Sequence, residues 1–209
     1  MDHVRDFVED AAIGVSVVER PEQLDGFLEP GVAAAIWERR LQRGFHAWID
    51  ELAPGQLPSC RIIVRPDAVF EAVDEICEEV GLPKSTWRDW FVTDIAVLAD
   101  VFADLMKAPY LRVRLDVITT DACRKFHLDA VTARLICTYR GPGTQYGIAK
   151  EGADPDPVSS VPTGAPIFLR GASWPEPPVS GLVHRSPPIA GTGQTRLMLV
   201  LDPIARPQE

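Results

Sequence analysis

One change of period constrains this chain more than any other feature. Directly after Pro109, the run LRVRLDVITT alternates Leu111, Val113, Leu115 and Val117 against Arg112, Arg114 and Asp116. A half-buried strand presents one apolar and one polar face in this way. Further short strands are expected at 126–129, 132–139, 165–170, 182–185 and 195–201. GPGT, the Pro- and Gly-rich stretch 152–164 and SWPEPPVSG separate them with turn chemistry. Successive strands with no helices between them predict a sandwich or small open barrel.

Before Pro109 the period is helical. Val32, Ile36, Leu41, Phe45, Trp48, Ile49 and Leu52 recur at threes and fours between Pro30-Gly31 and Pro54-Gly55, which predicts one amphipathic helix over 32–52. A second helix is predicted from about Asp67, an N-cap after Pro66, to Val80, with Gly81 as its stop. A third follows a Ser85 cap through TWRDWFVTDIAVLADVFADLMK until Pro109 breaks it. The expected class is α+β in one domain, with a helical layer over about 1–109 packed on a β core over about 110–209.

With 46% hydrophobic and 24% charged residues, 209 residues suffice for a sizeable folded core. The 21 basic residues are scattered among 30 acidic ones, for a net charge of −9. Phosphate binding needs local positive charge, so nucleic acid is not an expected partner. MDHVRDFVED lacks the basic head and apolar stretch of a secretion signal, and no run approaches the roughly 20 apolar residues of a membrane span. A cytoplasmic location is expected. Cys60, Cys77, Cys123 and Cys137 contain no CxxC, so free thiols are expected and a zinc knuckle has no support.

The chemistry concentrates in "KFHLDAVTARLICTYRGPGTQY", residues 125–146. His127-Leu128-Asp129 places an imidazole and a carboxylate at i and i+2, so on a strand both leave the same face. Chance alone would supply about 0.6 such His-x-acid pairs in this composition, so the motif needs a third ligand to carry meaning. His3 lies at the chain terminus, and His46 falls beside Trp48 in the first predicted helix, where packing explains it. His184 remains, in GLVHRSPPIAGTGQTRLMLVLD. Two histidines and one carboxylate form the facial set that leaves positions open on a non-haem iron. Arg196 heads the last strand and would suit a carboxylate anchor. Arg134 is an alternative anchor, and Tyr139 a candidate carboxylate donor from the other face of the same strand. Alternation does not say which face points inward. Cys123, four residues before His127, is an alternative metal ligand that would favour zinc.

His127, Asp129, His184 and Arg196, in this order on short strands, resemble the iron(II)/2-oxoglutarate-dependent oxygenases over roughly 111–202. That resemblance implies a double-stranded β-helix, or jelly roll, with Fe(II) and 2-oxoglutarate as cofactors and a small-molecule or peptide substrate. CRKFHLDAVTARLICTYRGPGTQY, HRSPP and TRLMLVLD resemble, over most of the chain, the bacterial domain of unknown function eighteen-twenty-six. Members of that family look to be encoded beside zinc-responsive metal chaperone GTPases, which implies a metal-homeostasis partner. A non-catalytic zinc-binding protein using the same His/Asp site is therefore the alternative to the dioxygenase.

Overall fold

The computed structural model describes residues 11–207; His3 lies outside them. Ten strands run through the chain: β1 Gly14–Val18, β2 Val32–Trp37, β3 Cys60–Val64, β4 Tyr110–Ile118, β5 Ala133–Arg140, β6 Gln145–Ile148, β7 Ser159–Ser160, β8 Pro166–Arg170, β9 Leu182–Arg185 and β10 Arg196–Ile204. Three α-helices accompany them, α1 Arg43–Glu51, α2 Val69–Glu79 and α3 Thr86–Met106. Seven strands form one sheet in the order β1-β2-β8-β5-β10-β4-β3, and β7-β6-β9 form a second. The large sheet is antiparallel except where β1 pairs with β2.

A helical N-terminal half is not what the chain forms, because three strands precede Pro109 and take up both edges of the large sheet. Residues 32–52 divide into β2, a connection and the short helix α1. Ala33 to Ile36 are all buried, since Ala35 packs toward the helices while Ala33, Ala34 and Ile36 pack toward the second sheet. A strand covered on both sides is apolar throughout, so helical spacing can be drawn through it without meaning a helix.

The other two helical expectations hold closely. The Ser85 Oγ accepts a bond from the Arg88 amide at 3.2 Å and caps α3. Asp67 is not the N-cap expected for α2: Ala68 holds that position without a side-chain cap, and Asp67 lies in the preceding 3₁₀ turn, Pro66–Ala68, held by Arg65. Gly81, at φ +74°, ends that segment, as a left-handed stop requires. From α3, Phe91, Ile95, Leu98 and Phe102 are fully buried, in one cluster with Leu111, Leu135, Leu199 and Leu201 of the sheet. At roughly 1.5–3 kcal/mol per buried large side chain, this helix-on-sheet core is the main source of stability.

Opposite the helices, the large sheet turns Ile136, Ile167, Leu169 and Val200 into a second core shared with Leu182 and the partly buried Tyr146 of the small sheet. The expected strand at 126–129 contracts to one antiparallel bridge, His127 to His184, each amide donating to the other's carbonyl at 3.0 Å. That bridge continues the small sheet beyond β9 and places the two histidines side by side. No helix among the described residues is long and apolar enough to cross a membrane.

Candidate metal centre

Three backbone devices hold the sequence-distant ligands together. The His127–His184 bridge fixes the two imidazoles with ring centroids 4.6 Å apart. The Asp129 carbonyl accepts the Ala172 amide at 2.8 Å, tying the residue to the chain leaving β8. Gly171 permits this close approach, because a Cβ there would run into the Val131 carbonyl oxygen.

The side chains converge as the sequence spacing anticipates. His127, Asp129 and His184 each offer a ligand atom, and those atoms lie within 4.8 Å of one another. His184 Nε2 is 3.2 Å from Asp129 Oδ2, and His127 Nε2 is 3.6 Å from Asp129 Oδ1. His127 Nδ1 lies 2.9 Å from the Lys125 carbonyl, which assigns the proton to Nδ1 and leaves the Nε2 lone pair for a ligand. Although Asp129 Oδ2 is near His184, it is misaligned for a hydrogen bond and is buried without one. A buried carboxylate oxygen beside two imidazole nitrogens and lacking a donor is the chemistry of a cation site. The residues present therefore fit a divalent metal.

The electrostatics point the same way. Burial raises the Asp129 carboxyl, but the adjacent His127 and His184 imidazoles and the Arg134 charge outweigh it and hold the group well below the ordinary carboxylate range. Burial is also the main reason the His184 imidazole is pushed down, favouring the neutral form that ligates. The Asp129 contact draws His127 up, against its partial burial.

Arg134 acts on this carboxylate. Its Nη1 reaches Asp129 Oδ1 at 2.5 Å. Its Nε and Nη2 donate to Asp202 at 2.6 and 2.9 Å. With two carboxylates already around it, Arg134 orients the candidate ligand and has little left for a cosubstrate. Oδ1 is occupied and Oδ2 is free, so Asp129 can offer one oxygen to an ion.

Arg196 is fully buried, and it donates to neutral oxygens: the Pro142 carbonyl at 2.7 Å, Ser186 Oγ at 2.7 Å and Thr138 Oγ1 at 3.4 Å. No ion pair to a carboxylate is found for it among the described residues, and burial pushes its guanidinium down to about 10. Tyr139 lies on the opposite face of β5. Its hydroxyl donates to Asp94 at 2.6 Å within the helix-side core, so as a carboxylate donor in the pocket it is corrected: the helices cover its face. Cys123 is exposed and lines the cavity beside the ligands, but it is not in the convergent group.

Sequence reasoning missed Ser186, Thr138, Asp202 and Arg114. Thr138 and Arg134 do share a strand face in the alternation of β5, and HRSPP places Ser186 two residues after His184. Nothing local marks Asp202 as the partner of Arg134.

Compared with known structures, this architecture is similar to a dioxygenase for auxin oxidation from Arabidopsis thaliana, solved as its 2-oxoglutarate binary complex. The TM-score is 0.58 at 9% identity, over 94% of this chain and 94% of that one. The rice dioxygenase for auxin oxidation is similar with a TM-score of 0.50 at 10% identity, over 92% of this chain and 83% of that one. The chain thus has the fold of 2-oxoglutarate oxygenases, with a His/Asp/His group that could hold a metal. Residues 18–202 match the family described as protein of unknown function (DUF1826), and the chain belongs to that family. No curated protein matches its sequence.

Proposed function

We propose that this protein is a non-haem Fe(II)- and 2-oxoglutarate-dependent dioxygenase, a single-domain jelly roll acting on a small organic molecule. The observation that carries this reading is the pairing of two features beside one cavity. One is the convergence of a ligand atom each from His127, Asp129 and His184; the other is a buried arginine, bonded to Ser186 of the cavity wall, with no counter-ion among the described residues. Arg196 is held by Ser186, two residues beyond His184 on the same chain, a step of roughly 6.6 Å along an extended strand. That separation suits a short dicarboxylate with one end at the metal and the other at the guanidinium. The likeness to a dioxygenase solved with 2-oxoglutarate supports the choice of dicarboxylate.

In this reading His127, Asp129 and His184 hold the metal on one face. Arg196, oriented by Ser186, Thr138 and the Pro142 carbonyl, takes the far carboxylate of 2-oxoglutarate through charge-assisted bonds. A bound Fe(II) would couple dioxygen and 2-oxoglutarate to oxidation of a substrate C–H bond, one oxygen atom going to the substrate and the other to succinate, with carbon dioxide released. Ile136, Met198 and Val200 wall the cavity and limit water beside the ligands. Burial keeps His184 neutral for ligation, and Arg134 keeps Asp129 charged and singly available.

The test is direct. Protein loaded anaerobically with Fe(II) is titrated with 2-oxoglutarate, then exposed to oxygen and assayed for succinate. Binding that disappears in His184→Ala, and succinate above a metal-free control, are expected. Absence of both in the wild type sinks the proposal. Tight zinc lost on Cys123→Ala would favour the zinc-binding alternative instead.

A further inference from the structure

The cavity beside the candidate ligands has a volume of about 290 Å³, and its wall is basic in a chain whose net charge is −9. Arg114, Arg134 and Arg185 line it, against one lining carboxylate, Asp116. Two of these guanidiniums have evident partners. Arg134 is held between Asp129 and Asp202. Arg185 donates to Gln145 Oε1 at 2.8 Å and lies 4.3 Å over the Phe126 ring. Arg114 differs: its Nε is buried with no hydrogen-bond partner. Its Nη1 forms a long ion pair with Asp116 at 4.0 Å, a carboxylate whose side chain is 36% exposed.

Register places this group. Arg114 on β4 pairs with Val200 on β10, which pairs with Ile136 on β5. Arg61 of β3 pairs with Arg114 on the other side, so Arg114 stands between that arginine and the apolar Val200 and Ile136, on the same cavity wall as Met198. A cationic side chain that lines a cavity, with one donor unbonded and a 4.0 Å pair to a partly exposed carboxylate, has capacity left for a ligand acceptor. Charge balance adds a sign. Arg134 is matched by Asp129 and Asp202 and Arg185 lies 3.7 Å from Asp154, so Arg114, facing Asp116 at 4.0 Å, is the lining cation best placed to take a further anion.

We propose that Arg114 is the substrate-recognising residue and that the substrate class is a small organic anion. Its carboxylate, or a similar anionic head, bonds to Arg114, and its apolar body lies along Ile136, Val200 and Met198. This rests on the dioxygenase reading for the identity of the second anion, but the Arg114 site can be measured separately.

The experiment uses calorimetric titration of the full-length protein, metal-free and loaded anaerobically with Fe(II) and 2-oxoglutarate. The probes are straight-chain carboxylates from butanoate to octanoate and their uncharged amides. The wild type is expected to prefer the best carboxylate to its amide by about ten-fold or more, the usual scale of a charge-assisted bond. Arg114→Met erases that preference, while its 2-oxoglutarate affinity stays within roughly three-fold of wild type; Arg114→Lys keeps part of the preference and guards against a folding artefact. Equal binding of acids and amides across the series overturns the proposal, as does a preference that survives Arg114→Met. Loss of 2-oxoglutarate affinity in Arg114→Met also overturns it, by assigning Arg114 to the cosubstrate. A wild type that ignores 2-oxoglutarate but keeps an Arg114-dependent acid preference breaks the dioxygenase reading and leaves the anion site standing.

Discussion

Two arginines, Arg39 largely buried and Arg196 fully so, stand on opposite faces of the large sheet, and their surroundings differ in one respect. On the helix side, Arg39 donates to both oxygens of Asp94 at 2.6 and 2.7 Å, and Tyr139 bonds the same carboxylate. Burial opposes the Arg39 charge, yet Asp94 outweighs it and the guanidinium is raised well above its ordinary value. On the cavity side, Arg196 is buried among neutral oxygens, and its guanidinium is pushed down. The first arrangement is closed, with a counter-charge built into the chain. In the proposed reading, the second leaves its counter-charge to a ligand. A protein that buries a cation for structure gives it a partner; one that buries it for binding withholds that partner.

Breaking the closed side has the largest expected effect. Asp94→Ala strands the Arg39 guanidinium and the Tyr139 hydroxyl in the core and is expected to cost about 3–5 kcal/mol of stability, measured by urea unfolding. Metal affinity at the folded plateau stays unchanged. Arg196→Met makes the opposite test. It removes a charge with no ion-pair partner, so metal-free stability stays within about 1 kcal/mol of wild type, while 2-oxoglutarate affinity falls by about 2–5 kcal/mol. A severe loss of stability in Arg196→Met, or none in Asp94→Ala, would erase the distinction between the two faces.

An intermediate effect is expected from Arg134, which belongs to both patterns: it is paired, but to a candidate ligand. Substituting Arg134→Gln with Asp202→Asn removes the orienting pair without leaving Asp202 as a buried bare charge. Metal affinity, read by competition with a chelator, should weaken by about 10–100-fold, the range for groups that orient a metal ligand. Arg134→Lys, with Asp202 intact, should recover part of it. Unchanged affinity in the double variant would mean that Asp129 needs no orientation from β5.

The sequence carried this asymmetry incompletely. His127, Asp129 and His184 were legible because their side-chain chemistry is rare and their order restrictive, even though the expected strand at 126–129 is a single bridge. Alternation on β5 separated Arg134 and Thr138 from Tyr139, but only the helices, which cover Tyr139, decide which face is which. β2 was hidden because Ala and Ile buried on both faces satisfy helix and strand periods alike. Arg114 reads locally as the polar side of a strand. The second sheet, which the local pattern does not show, turns that side inward. Asp202 as the partner of Arg134 is a pairing across 68 residues with no local signal.

The smallest expected effect concerns protons, and it sharpens the comparison because the cavity side carries two imidazoles shifted in opposite directions. In the metal-free protein His127 is raised, chiefly by Asp129. Its contribution to stability is complete below the ordinary imidazole value near 6.5 and is lost as pH rises through the raised value. His184 is lowered, chiefly by burial, so its contribution is complete above that ordinary value and is lost as pH falls through the lowered one. The two slopes oppose each other and predict a shallow maximum near pH 6.5, with melting temperature falling by no more than roughly 2–4 °C per pH unit on either side. Across the sheet, burial pushes the Tyr139 hydroxyl well above its ordinary range, which keeps it silent there. Ligation needs both imidazoles neutral, so the stabilisation gained on adding metal should grow as pH rises through the raised His127 value. Melting curves between about pH 5 and pH 8, with and without metal, test both slopes. A maximum that persists in His127→Asn/His184→Asn would place the titrating groups elsewhere and leave the cavity's two histidines without the opposed environments described for them.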